Sequence, residues 1–212
     1  ALVALGFTII YNASNVVNFA QGEFVMLGGM TTVFVYESGV SLPLSALIAV
    51  AIVVVIGNLV NKLAIETAKG ASVVTLIIIT IGASIFLRGM AQIVFDKQIH
   101  SLPAFTGDDP FEIAGATILP QSLWVLFGAG VIFAGLYVFF TRSLSGKAVL
   151  ATANNPMAAK LVGIDTNVIM ALGFGLSAGI GAMAGVLITP ITLTSYDVGV
   201  MLALKGFAAA ML

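Results

Sequence analysis

Cysteine is absent from this chain of 212 residues, so disulfides and thiolate chemistry are excluded. Charge is scarce: only 8% of residues are Asp, Glu, Lys or Arg, whereas soluble globular domains carry about 25%. With 60% hydrophobic residues and a mean hydropathy of +1.16, the chain cannot be a soluble fold. Alternation with period two, the mark of a membrane β-barrel, is missing as well. Runs such as Ile48-Ala-Val-Ala-Ile-Val-Val-Val-Ile are continuously apolar. Residues 38–61, 113–141 and 166–196 hold almost no charge or none, and each exceeds the roughly 20 residues that cross a bilayer as a helix. The fold class is therefore all-α, a polytopic transmembrane helix bundle.

Along the chain, a first helix is expected up to about Tyr11, then a polar interruption, then a second apolar segment over 24–36. Ser41-Leu42-Pro43 opens the next span, with proline in the first turn, and that span ends at 58–62. Further spans are expected over 72–95, 121–140 and 168–188. Thr189-Pro190 is expected to break the pattern, and Lys205-Gly206 to interrupt a last apolar stretch over 198–212. The chain opens and closes inside apolar runs, so it is expected to be a single, incomplete transmembrane domain, 1–212, of a longer protein.

Loop charges orient the bundle. Lys62 and Lys69 share one connection, and Arg142, Lys147 and Lys160 share another on the same side. Glu37, Asp96, Asp108, Asp109 and Glu112 lie on the opposite side, with Lys97 as the one clear cation there. The positive-inside rule makes the first side cytoplasmic. His100, the lone histidine, falls in an outer loop and reads as a solvated residue. Gly175 with Gly179, and Gly181 with Gly185, form GxxxG patterns that favour close helix packing within the bundle over a dimer seam. Ser145-Gly-Lys-Ala lacks the remaining residues of a P-loop, so no nucleotide site is expected. No cofactor, metal or nucleic-acid partner is expected either.

Residues 11–23 read Tyr-Asn-Ala-Ser-Asn-Val-Val-Asn-Phe-Ala-Gln-Gly-Glu. Unpaired polar groups are costly in lipid, so such a run is buried in protein or faces a wet cavity. Asn15, Asn18, Gln21, Gly22 and Glu23 are the candidate residues of a broken helix beside a translocation path. Two readings compete: these side chains satisfy the backbone freed by the break, or they line the path. The segment 189–197 is a candidate second interruption. Glu23 has one candidate intramembrane partner in Arg88, the sole cation well inside a span, with snorkelling of Arg88 as the alternative.

The cytoplasmic segment 143–165 carries the second signal. Asn155 reads as an N-cap with Pro156 at the first helical position, and Gly163 as a left-handed C-cap. Residues 157–162 are expected to form a short helix, and 146–153 another. Short helices beneath a bundle suit docking into a groove on a partner protein, against the bland reading of a solvated helical loop.

Asn18-Phe-Ala-Gln-Gly-Glu-Phe, preceded by Gly6-Phe-Thr-Ile-Ile-Tyr, resembles the signature of LivH-type branched-chain amino-acid ABC transporter permeases. Ser145-Gly-Lys-Ala, Ala153-Asn-Asn-Pro-Met-Ala-Ala-Lys-Leu-Val-Gly-Ile, Thr189-Pro-Ile-Thr-Leu-Thr-Ser-Tyr-Asp-Val-Gly and Lys205-Gly-Phe-Ala-Ala-Ala agree, in order. The resemblance implies a permease subunit without enzymatic activity, importing leucine, isoleucine, valine or a similar amino acid. It implies a second homologous permease, two cytoplasmic ATP-binding subunits and an extracytoplasmic solute-binding protein, all around a lipid-embedded path. It also implies that Pro156, Met157, Ala158, Ala159, Lys160 and Gly163 form the ATPase-coupling element. Met157 departs from the glutamate of the general motif, and the downstream Ile-x-Leu-Pro is absent. Urea or short-amide ABC permeases, a passive channel and an ion-coupled secondary transporter are the alternatives.

Overall fold

The computed structural model describes residues 1–14, 16–68, 70–107, 109–113 and 116–211. The helices are α1 (Leu2–Ser14), α2 (Gln21–Glu37), α3 (Leu42–Val60), α4 (Val73–Val94), α5 (Pro120–Arg142), α6 (Leu144–Asn154), α7 (Pro156–Leu161), α8 (Thr166–Thr192) and α9 (Val198–Met211). A π-helical turn (Asn61–Ile65) and a 3-10 turn (Glu66–Ala68) prolong α3. Between α4 and α5 the strands β1 (Phe111–Ile113) and β2 (Ala116–Ile118) pair as an antiparallel hairpin. Among the described residues, four stretches are long and apolar enough to cross a membrane: Leu42–Ala68, α4, α5 and α8.

Helix α2 is the hub. From Gln21 through Val33 every residue is buried, and α8, α3, α9 and α4 surround it. Phe24, Met26, Leu27 and Met30 fill the space between Val53 of α3, Leu87 and Ala91 of α4, and Ala178 and Ala182 of α8. Lipid is as apolar as these side chains, so close van der Waals contact holds such helices together. Glycine makes that contact possible. A Cβ at Gly185 would fall on the Val25 carbonyl of α2, and one at Gly28 on the Ala182 backbone of α8. Gly175 and Gly179 face Val54 and Asn58 of α3, whereas Gly181 faces Phe24 and Gln21 of α2. Both GxxxG patterns therefore pack inside the chain, each on a different neighbour.

Local signals set most boundaries. The Ser72 hydroxyl accepts from the Thr75 amide at 3.2 Å and caps α4, and the Ser143 hydroxyl accepts from the Gly146 amide at 2.8 Å and caps α6. Three expectations are corrected. The polar run is mostly helical: α1 reaches Ser14, and Gln21, Gly22 and Glu23 form the first turn of α2. Pro190 does not end α8, which continues to Thr192; the Thr189 hydroxyl bonds the Gly185 carbonyl at 2.7 Å, Thr192 bonds that of Ile188 at 3.2 Å, and Leu193 ends the helix at φ 63°. Lys205-Gly206 does not interrupt α9, because Gly206 makes room for Val3 of α1.

The outer connections are tied together. His100 and Thr194 exchange backbone hydrogen bonds, each 2.9 Å, which fastens the loop after α4 to the short link between α8 and α9. His100 is more than a solvated residue: its ring packs on Phe34 at 5.0 Å and meets Asp96 at 3.1 Å. The Gln98 amide and then the His100 ring hold the Asp96 carboxyl below its usual range.

The close α2–α8 seam predicts that Gly185→Leu destroys the fold, whereas Gly130→Leu on α5, with nothing within 4 Å, is tolerated. Overpacking costs about 1–3 kcal/mol or more in a tight core. Thermal unfolding in detergent should show a large loss for the first substitution and a near-native midpoint for the second.

Candidate functional site

A helix break inside a membrane leaves amides and carbonyls that water cannot reach. Between α1 and α2 several of them find partners within the chain. The Val16 amide donates to the Ser14 hydroxyl at 3.2 Å, and the Ala20 amide to Asn18 Oδ1 at 3.1 Å. The Phe19 amide donates to the Thr80 hydroxyl at 3.3 Å, and that hydroxyl has the Ile77 carbonyl at 2.8 Å and the Val17 carbonyl at 3.3 Å as acceptors for its one proton. The Gln21 amide closes a turn on the Asn18 carbonyl at 3.1 Å.

The side chains of the break reach further. Gln21 Nε2 donates to the Ser177 carbonyl of α8 at 3.2 Å. The Ser177 hydroxyl sits between Gln21 Oε1 and the Gly6 carbonyl of α1, 2.8 Å from the latter, with one proton to share. One buried cluster thus ties α1, α2 and α8 near the middle of the 27-residue α8. Gly22 lies against the Gly199 carbonyl and Ala203 of α9. Glu23 is 1% exposed; Oε1 accepts from the Ser84 hydroxyl of α4 at 2.8 Å, and Oε2 lies against Gly199 without a hydrogen-bond partner. The first turn of α9 lies there, and a helix N-terminus favours a nearby carboxylate.

Asn18, Gln21, Gly22 and Glu23 are therefore gathered in one place, while Asn15 lies outside the described residues. Asn18 Nδ2 is buried without a partner. Arg88 sits one helical turn beyond Ser84 and is half-buried. Glu23 takes its contact from Ser84 instead, and the one ion pair within 4 Å among the described residues is His100–Asp96. Sequence reasoning missed Thr80 and Ser84. Their signal is a polar stripe, Thr80, Ser84, Arg88 and Gln92, at i, i+4, i+8 and i+12 of a mostly apolar helix. Ser177, lodged within a GxxxG pattern, carried no such signal.

Two apolar grooves lie elsewhere. One of about 780 Å³ runs between α3, α5 and α8, lined by Val54, Ile132, Leu136, Leu172 and their neighbours. The other, about 790 Å³, opens between α3 and α4 over a floor of Leu27, Thr31 and Val35. Neither is lined by Asn18, Gln21 or Glu23.

In the segment 143–165, Asn155 Oδ1 accepts from the Ala158 amide at 3.0 Å, Pro156 opens α7, and Gly163 follows it at φ 86°. Ala159 is buried; Pro156, Met157, Ala158, Lys160 and Gly163 are exposed. Leu161 is 84% exposed, Val162 77% and Met157 74%. Helix α7 packs on α6 and α8, and α6 packs on α1, α5 and α8.

Ser177→Ala removes the hydroxyl between two buried acceptors, at a cost of about 1–3 kcal/mol. The expected outcome is a lower unfolding midpoint in detergent. Thr8→Ala, which loses only an exposed bond to the Ala4 carbonyl, should change it little.

Comparison with known proteins identifies the family. The family of branched-chain amino acid transport system permease components matches residues 1–212. The high-affinity branched-chain amino acid transport system permease protein BraD of Pseudomonas aeruginosa is 28% identical over 226 residues, covering all of this chain and 74% of the relative. The corresponding LivH protein of Escherichia coli is 27% identical over 229 residues, covering all of this chain and 73% of the relative. A probable branched-chain amino acid transport permease protein LivH of Methanocaldococcus jannaschii is 28% identical over 219 residues, 99% of this chain and 68% of the relative. No solved structure matches. The chain belongs to the branched-chain amino acid transport permease family, as a multi-pass membrane protein of LivH type.

Proposed function

We propose that the chain is the membrane subunit of an ATP-driven importer of leucine, isoleucine, valine or a closely related amino acid. In this reading it works beside a second permease, two cytoplasmic ATP-binding subunits and an extracytoplasmic binding protein. The observation that carries the coupling role is the cap formed by α6 and α7. On the side marked cytoplasmic by Arg142, Lys147 and Lys160, Leu144 is 85% exposed, and Met157, Leu161 and Val162 are nearly as bare. Such a patch on a short, well-capped element fits a groove on a partner protein.

The route for force follows from the packing. A push on α7 reaches α6 and α8, and α6 bears on α1. Helices α1 and α8 are the two partners of Gln21 across the break. Closure of the ATP-binding subunits would thus tilt α1 and α8 around the break and exchange an outward opening for an inward one. The exchange requires those subunits to bind one state better than the other. The chain supplies no covalent chemistry to this cycle. It provides a path, and a handle by which the path is switched.

Ala159 is the wrong position to probe docking, because it lies on the buried face of α7. The informative variant is Leu161→Asp with Val162→Asp. In the assembled importer it should lower recovery of the ATP-binding subunits, and amino-acid uptake, at least tenfold while the unfolding midpoint stays near native. Unchanged recovery and uptake would rule this docking surface out.

A further inference from the structure

Outward-facing residues divide the bundle into two kinds of surface. On α3, α4 and α5 the exposed mid-span positions are apolar, among them Leu47, Val55, Ile85, Phe127 and Val131. Their exposed polar side chains, Thr75, Tyr137, Thr141 and Arg142, sit within the terminal two turns. That is the surface expected toward lipid. Helices α1 and α9 differ. They pack on each other through Gly206 against Val3 and through Phe207 against Phe7, at 5.9 Å between ring centres. The exposed side chains of this pair include Thr8, Tyr11 and Asn12 of α1 and Lys205 of α9, together with Met201, Leu204, Ala208 and Ala209.

Lys205 decides the matter. It lies on the stripe Met201, Leu204, Lys205, Ala208, exposed at helical spacing, and no carboxylate lies within 4 Å of it among the described residues. Its neighbours fix its depth. Phe207 packs on Phe19 at 5.5 Å, inside the helix break, which Gln21 ties to the middle of α8. An ammonium group at that depth is strongly disfavoured in hydrocarbon, and such residues face water or a partner. Ala208 and Ala209, close to it on α9, are exposed as well, and the exposed hydroxyls of Thr8 and Tyr11 and the amide of Asn12 on α1 offer further hydrogen bonds.

We propose that the outward face of the α1–α9 pair lines the water-filled route of the solute, and that the Lys205 ammonium binds the carboxylate of the transported amino acid there. This deepens the importer reading and rests on it. It also moves the wet surface away from Asn18, Gln21 and Glu23, which are buried within the subunit, to residues one helix face away. A compact, strongly hydrated ammonium holds a carboxylate without a fixed geometry, which suits a transient stop on a path.

The absence of native cysteine allows a direct test in the assembled importer in native membranes. Thr8→Cys, Asn12→Cys and Lys205→Cys should react with a charged, water-soluble methanethiosulfonate at least tenfold faster than Ile85→Cys and Val131→Cys. Lys205→Gln should lower leucine uptake at least tenfold with ATP hydrolysis retained, and Lys205→Arg should keep most of it. Equal, slow labelling at all five positions would overturn the wet face. Fast labelling with normal uptake by Lys205→Gln would overturn the carboxylate role. Labelling reads water whatever drives transport, so a failure of the ATP-driven reading is seen separately, as uptake that ignores the ATP-binding subunits.

Discussion

A chain that stops being helical inside a membrane must find partners for every backbone group it frees, and the rest of this structure is arranged around that requirement. The break between α1 and α2 is closed by groups from three directions. Asn18 and Ser14 serve it locally, Thr80 reaches in from α4, and Ser177 on α8 joins Gln21 to the Gly6 carbonyl. Because Gln21, Gly22 and Glu23 then form the first turn of α2, that helix starts in the interior and stays buried through Val33. The polar groups at its start are therefore structural before they are anything else.

Burying a helix so completely demands close neighbours, and small residues supply them. Gly28 and Gly185 bring α2 against α8, while Gly22 and Gly199 bring α2 against α9. A shared core thus forms from helices that hydrophobicity alone would not bring together in lipid. Helices α4 and α5 stay at the margin, their exposed faces rich in Ile, Leu, Phe and Val.

Much of this could be read from the residues. The spans follow from uninterrupted apolar runs, and the Asn155-Pro156 start and Gly163 stop of α7 follow from capping chemistry that acts over a few residues. Tertiary contacts account for what could not be read. Pro190 signals an end to α8, yet threonine hydroxyls and packing carry the helix another two residues. Gly206 looks like an interruption until Val3 is seen beside it. Glu23 and Arg88 are opposite charges in an apolar chain, but whether they meet depends on helix rotation, and Ser84 faces the carboxylate. The exposed set of Thr8, Tyr11, Asn12 and Lys205 spans two helices some 200 residues apart in sequence, so no local pattern announces it.

These features make a consistent machine. In the proposed reading, force would enter at the exposed apolar cap, pass through α6 to α1 and α8, and act at the helix break. The central claim is that this subunit carries amino acids only when ATP is hydrolysed by its partners. The direct measurement is accumulation of labelled leucine in proteoliposomes holding the complete importer and its binding protein, with ATP inside or absent. The account predicts accumulation that needs ATP and is competed by isoleucine and valine. Accumulation driven by an ion gradient without ATP would contradict it.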